Sequence, residues 1–538
     1  MAGVSPHATD SVTRIDPPLV AAHYFGRHWP KNFINAFRYE HVAEDFAQLR
    51  ADGFNAVVLL VAWGDFQPTV DPCCDYDERA FQRMHYLIDA ARDAGLEAVL
   101  RVGYAWSFHP DAGNLHARQA GLLNEQPIRD AFLEFVGRLG AEMHRHPNLR
   151  LSFMSWEDQE LHQIMDSAQD DFNEFLDTLP PDDPLRSLLP EELRFPTKND
   201  PSAPLFHRYR GYLLMEKIMR PAVHLLHPLS YEVRVDRDPL PLTRPDGSTT
   251  YQGISHEHTY QPPGADVLTI YWAPFWGAQN QGEELSADLA LRLFRHLLAE
   301  VNEHSGHLPI FIDQFNVIDN TVGAEQNAVL RNADLASFMQ GAHCAMRKAG
   351  VFGCGYWTVR NYAESPLFNP SFSYGLEGWT LHTVSPGDAT SRLHRLASGD
   401  HELMLQPGDE LSQAIPSHRG RLPDAADDLP DYIYLEASAP APARVRIAAG
   451  GPPTFLEFTG SGLEQKCAPI APQPRDSELH LVLQQESGGL ALKGVLLFDH
   501  TQDGGVYTLD GDPAPLLEPL RDLNRTFVQS SSRLCTEN

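Results

Sequence analysis

From about residue 18, continuous apolar runs alternate with segments whose apolar positions recur every three or four residues. "HVAEDFAQLRADGF" (41–54) has Val42, Phe46 and Leu49 at helical spacing and a Gly near its end, and "NAVVLLVAW" (55–63) follows at once as an unbroken apolar run. "AFQRMHYLIDAARDAGL" (80–96) and "EAVLRVGYAW" (97–106) repeat the pair, and "RDAFLEFVGRLGAEMHRH" leads to "LRLSFMSWE" (149–157). Strands that are apolar on both faces belong to parallel sheets covered by helices. Further strands are predicted near "AAHYFG" (21–26) and at "SYEVRVD", "VLTIYWAPF", "PIFIDQF" and "GCGYWTV", with a helix over 205–226. Eight β/α units predict a (β/α)8 TIM barrel over 18–365, with an active site at the C-terminal strand ends. A doubly wound open sheet is the competing α/β fold, but no GxGxxG follows an early strand. Residues 166–205, rich in Pro, Asp and Glu, read as an insertion over one face, and 1–17 as an N-terminal tail.

Near residue 365 the period changes. "HELMLQP", "DYIYLEAS", "ARVRIAAG", "TFLEFTG", "ELHLVLQQ" and "GVLLFDH" are short alternating strands, which predict an antiparallel β-sandwich over 368–505. "DGDPAPLLEPLRDLNRTF" then turns helical, giving a C-terminal helix over 510–530. That helix suits either the eighth helix of the barrel, with the sandwich inserted ahead of it, or a helix packed on the sandwich.

Composition narrows the function. The 42 Lys and Arg against 72 Asp and Glu leave a net charge of −30, which argues against nucleic acid, since phosphate binding rests on cationic side chains. No apolar run reaches the roughly 18 residues of a membrane span. No basic start followed by an apolar segment is visible at the N-terminus, and six cysteines without a CxxC do not form a disulfide framework. These features lean towards a reducing, cytoplasmic setting, although a processed secreted form would read the same way. No oligomeric state can be read.

The strand ends carry the candidate chemistry. "FNAVVLLVAWGDFQP" and "AGLEAVLRVGYAW" resemble the second- and third-strand segments of clan A of the retaining glycoside hydrolases, which includes families 5, 35, 39 and 42. The resemblance runs by pattern over roughly residues 20 to 365. It implies two catalytic glutamates, at the ends of strands four and seven, and a carbohydrate substrate without a cofactor. Strand four ends "SFMSWEDQE", so the resemblance puts Glu157 at the acid/base position, with Trp156 where the clan has an Asn. Strand seven ends "IFIDQFNV", and Gln314 stands where the nucleophile belongs.

An amide is a poor nucleophile and supplies no negative charge to an oxocarbenium-like transition state. Three explanations compete: an inactivating Glu→Gln exchange, a barrel that binds sugar without cutting, and catalysis by Asp313, with inversion as one outcome. Side chains alternate along a strand, so Asp313 and Gln314 are expected on opposite faces, which counts against the third; the first is favoured. Further strand-end residues are candidate sugar contacts: Tyr271, Trp357, Trp63, Tyr104, Trp106, Trp272 and Trp276, with Arg234, Asp236 and Glu232 as polar partners. For each aromatic, ordinary core packing is an equal alternative. His256 and His258 in "SHEHTY" lack metal-ligand spacing and read as a rim pair; no metal is expected. No GxSxG elbow or phosphate loop occurs. The sandwich resembles modules that accompany glycan-active enzymes; its Trp379, Tyr432 and Tyr434 are expected to pack rather than bind.

Overall fold

A computed structural model describes residues 17–28, 32–70, 75–104, 115–155, 165–189, 195–196, 202–226, 228–234, 240–243, 249–252, 259–272, 284–317, 329–363, 365–385, 389–415, 431–471, 478–498 and 501–529. Eight parallel strands close into a barrel: Leu19–Tyr24, Ala56–Ala62, Glu97–Tyr104, Leu149–Met154, Leu229–Arg234, Leu268–Trp272, Ile310–Phe315 and Val351–Tyr356, strands one to eight. Strand eight pairs back onto strand one, Leu19 opposite Gly353 and Ala22 opposite Tyr356, so no edge remains. Chain order equals strand order around the cylinder, as short right-handed β/α units require.

Two apolar layers hold the barrel. Alternate strand residues, among them Ala21, Val58, Val99, Leu151, Phe153 and Phe311, fill its interior as one cluster. The other face of each strand meets helices such as Tyr39–Ala51, Glu78–Asp93, Gln126–Met143, Ala287–Ser305 and Leu335–Lys348. Within 166–205 the helix Gln169–Thr178 buries Phe172 and Phe175, which pack on Tyr209 at 4.9 and 5.2 Å between ring centroids. Asp170, Glu174 and Asp177 of that helix are exposed, whereas Asp171 turns inward to pair with Arg129 at 2.7 Å.

Beyond strand eight the described residues form two five-stranded antiparallel sheets packed as a sandwich, with a core of its own. The chain leaves and re-enters the barrel side by side. Tyr362 pairs with Gln502 and Ala363 with Thr501, and Tyr507 N–H donates to the Val359 carbonyl at 2.9 Å. The helix Leu517–Gln529 follows, and its Leu517, Leu520, Leu523 and Phe527 join the barrel's outer apolar layer. Arg521 Nε donates to Asp52 at 2.8 Å, just past the helix Tyr39–Ala51. Sandwich and barrel also share caps: the backbone N–H groups of Tyr39 and Glu40 donate to Asp400 at 2.7 and 2.9 Å, so a sandwich carboxyl satisfies a barrel helix N-terminus.

Candidate functional site

The polar cluster of the barrel interior is set by residues that break apolar strands. His23 in "LVAAHY", Arg101 in "EAVLRVGY" and Glu232 in "LSYEVR" are each nearly sealed from solvent. Burying such groups is costly unless they meet partners, and here they meet each other. Arg101, 0 % exposed, donates from Nε and Nη2 to Ser155 Oγ at 3.0 and 2.8 Å. Its Nη2 lies 3.3 Å from Glu232 Oε2, and its Nε 3.8 Å from Asp313 Oδ2. His23 Nε2 lies 2.9 Å from Asp313 Oδ1 and 3.0 Å from the Asp313 carbonyl oxygen. Both neighbours are acceptors, so Nε2 carries the hydrogen. Burial, and secondarily the charge of Arg101, lowers the His23 pKa to about 3, so the imidazole is neutral near pH 7.

Gln314 joins this cluster. With its amide oxygen turned to the guanidinium, it accepts from Arg101 Nη2 at 3.3 Å and also from Nη1. Asp313 and Gln314 therefore both face the barrel interior, and the expectation that they point to opposite sides is corrected. The cause is a bulge: Ile312 pairs with Ile270 and Phe315 with Trp272, so three steps on strand seven match two on strand six. The extra residue turns a second side chain inward. Asp313 is 0 % exposed and Gln314 6 %, so a molecule entering the mouth meets the amide before the carboxyl.

Strand eight closes the cluster. Trp357 lies 5.1 Å from the His23 ring and 5.9 Å from the Arg101 guanidinium carbon, and its indole is partly exposed. Close approach of strands seven and eight depends on Gly355, where a Cβ would stand 2.5 Å from the Asp313 carbonyl oxygen and 3.4 Å from His23 Nε2. On strand six Tyr271 pairs with Arg234, two positions beyond the pair Thr269–Glu232. Tyr271 thus shares the inward face of Glu232 and is buried.

Two expected sugar contacts lie elsewhere. Trp63 is 0 % exposed in a short turn of helix after strand two, where it packs edge-on against Phe132 at 5.1 Å and donates from Nε1 to Gln67 at 2.7 Å. Trp272 is buried on the outer face of strand six, stacked on Phe315 and Phe338 at 5.2 and 5.4 Å. Both belong to the layer between strands and helices, because strand alternation puts the residue next to an inward one on the far side. Glu157, Trp156, Trp106, Trp276, Asp236, His256 and His258 lie outside the described residues, as do the side chains of Tyr104 and Arg234. In the sandwich Trp379 is buried and donates to the Asn369 carbonyl at 2.9 Å, and Tyr432 stacks on Phe498 at 5.7 Å. Among the described residues no cluster of His, Cys, Asp and Glu could hold a metal ion, and no helix is long and apolar enough to cross a membrane.

His23, Arg101 and Ser155 were not among the residues the sequence pattern selected, and Asp313 was weighed there only as a disfavoured catalyst. The signal that finds them is a charged or polar residue inside an otherwise apolar strand at an inward position.

No family model and no curated protein matches the sequence. Solved structures align with the fold at low identity. An exo-β-1,4-mannosidase, Op5Man5, from Opitutaceae bacterium strain TAV5 aligns at 16 % identity and a TM-score of 0.40, over 64 % of this chain and 52 % of that one. The chain thus spans about half the length of that enzyme. A GH5_18 protein from Streptomyces cattleya, solved with GlcNAc, aligns at 14 % identity and a TM-score of 0.40, over 64 % of this chain and 72 % of its own. An endo-1,4-β-mannanase from Rhizomucor miehei aligns at 10 % identity and a TM-score of 0.39, over 62 % and 86 %. At these scores the barrel assignment rests on the chain's own closed strand pairing.

Proposed function

We propose that the barrel is a glycosidase of the retaining type, acting on a β-linked oligo- or polysaccharide, in which residue 314 is the nucleophile position and Gln314 is an inactivating exchange for Glu. The observation that carries this reading is the placement of the Gln314 amide: inward, at the C-terminal end of strand seven, with its oxygen on Arg101. A carboxylate in that place would keep both guanidinium bonds and would be held ionised by the adjacent cation, as a nucleophile must be. Glu157, two residues along the chain from Ser155, is the acid/base by resemblance.

The chemistry divides into two displacements. In the first, the carboxylate introduced by Gln314→Glu bonds to the anomeric carbon as the glycosidic bond breaks, and Glu157 gives its proton to the leaving oxygen. In the second, Glu157 takes a proton from water, whose oxygen replaces the enzyme ester and restores the carboxylate. Trp357 offers an aromatic face to the ring and Tyr271 a hydroxyl at the inward side of strand six.

The test is hydrolysis of a broad panel of β-glycosides and glycans. Gln314→Glu is expected to raise the rate by at least 10²-fold over the Gln314 chain on one sugar type, and Glu157→Gln in that background to abolish the gain. Unchanged inactivity across the panel counts against the reading.

A second reading, a barrel that binds glycan without cutting it, draws on one observation. Arg101 already faces two carboxyl groups, Glu232 and Asp313, so a third at 314 would crowd like charges, and the amide suits the cluster as it stands. Binding of one glycan by the Gln314 chain with no turnover after Gln314→Glu is the outcome that reading expects.

A further inference from the structure

Where the sandwich meets the barrel, a cavity of about 150 Å³ opens between the helix Glu78–Asp93 and the turn before the strand His401–Leu405. On the measure by which roughly 10–15 Å³ holds one water, this is room for a small molecule. In a chain with a net charge of −30, its lining carries three arginines, Arg79 and Arg83 from the barrel helix and Arg395 from the sandwich, with His401 beside them.

The cations are not equally compensated. Arg79 pairs with Asp77 at 2.8 Å and Glu377 at 2.9 Å. Arg83 is 5 % exposed, yet it donates to two neutral backbone carbonyls, those of Ile34 and Ser373, and no carboxyl pairs with it among the described residues. Its guanidinium also lies 4.3 Å from the Tyr374 ring centroid. Arg395, exposed at the rim, likewise pairs with no carboxyl among the described residues. The carboxyl in the lining, Asp400, already accepts from Tyr39 N, Glu40 N and Ser398 Oγ. The His401 pKa is lowered, first by burial and then by Arg395 and Arg83. A buried charge ordinarily meets a counter-charge, and among the described residues no carboxyl pairs directly with Arg83.

We infer that this cavity is a binding site for one oxyanion, a carboxylate or an inorganic oxyanion, carried by a ligand small enough to sit against Tyr39 and Phe37. Arg83 and Arg395 hold the anion from opposite sides of the seam, so the ligand fastens sandwich to barrel. The inference is independent of the chemistry at residue 314.

The experiment is thermal unfolding of the full chain titrated with sodium glucuronate and with sodium sulfate, against sodium chloride at equal ionic strength and against neutral glucose. A saturable rise in Tm with glucuronate alone identifies an organic carboxylate, and a saturable rise with sulfate identifies an inorganic oxyanion; either supports the site. Arg395→Gln and His401→Gln, both at accessible positions, are expected to raise the half-saturating concentration at least tenfold, and Arg83→Met to remove saturation. A sulfate effect that rises linearly and equally in the variants is general salt exclusion and overturns the inference, as does the lack of any saturable response.

Discussion

Arg101 organises the barrel interior because it is the cation that Ser155, Glu232, Asp313 and Gln314 all approach. Its removal takes a nearby positive charge from two buried carboxyls, Glu232 and Asp313. Arg101→Leu is therefore expected to cost about 3–5 kcal/mol, read as a lower urea midpoint at pH 7. The imidazole of His23 acts in the opposite sense, as a buried neutral group. Its folded pKa is about 3 against 6.5 for the free side chain, so the unfolded chain takes up the proton first as pH falls. The stability it contributes is fully present above pH 6.5 and is lost progressively towards pH 3, at up to about 1.4 kcal/mol per pH unit. His28, half-buried with a pKa lowered to about 3, adds a parallel loss. His23→Gln retains an N–H for Asp313 and is expected to make the acid limb of urea stability shallower between pH 6.5 and 3; an unchanged limb contradicts that assignment. Sequence pattern carried this scale only partly. It pointed to residue 314 and to Glu232, but Arg101 and His23 sit inside apolar strands, where composition alone reads them as noise.

At the scale of the element, the bulge on strand seven decides which side chains face the barrel interior. Alternation from Phe311 correctly sends Asp313 inward and then fails, because the extra residue between Ile312 and Phe315 turns Gln314 inward as well. A one-residue bulge leaves no mark in a hydrophobic pattern this short. The same alternation explains the misplaced tryptophans: Trp63 and Trp272 are strand-end residues on the outward parity, and a strand-end position without its parity does not distinguish mouth from layer. Strand eight fits against the bulge through Gly355. Gly355→Ala forces a methyl onto the Asp313 carbonyl and is expected to cost about 1–3 kcal/mol, read as a lower Tm. Ala substitution at Gly350, where nothing lies within 4 Å but φ is +74°, gives a comparison of strain without a clash.

At the scale of the whole molecule, the period change near residue 365 was legible because a sandwich and a β/α repeat bury their apolar residues at different spacings. The eight strands were legible for the same reason. What the pattern left open was the docking of the last helix, since an amphipathic face does not name its partner. In the structure Phe527 sits in the barrel's outer layer, its ring 5.5 Å from His343 of the helix Leu335–Lys348. The chain thus runs from strand eight through the sandwich and back to the barrel wall, and the seam between the two carries shared caps and a cavity lined by three arginines. The chain's net charge of −30 disfavours a polyanionic partner. The central claim concerns the single position at the mouth of that cylinder, and covalent capture tests it most directly. Gln314→Glu protein incubated with a panel of 2-deoxy-2-fluoro-β-glycosides bearing good leaving groups is expected to gain the mass of one sugar, mapped to residue 314 by peptide mass spectrometry. An adduct on Asp313 or Glu232, or none with any sugar, would contradict the account.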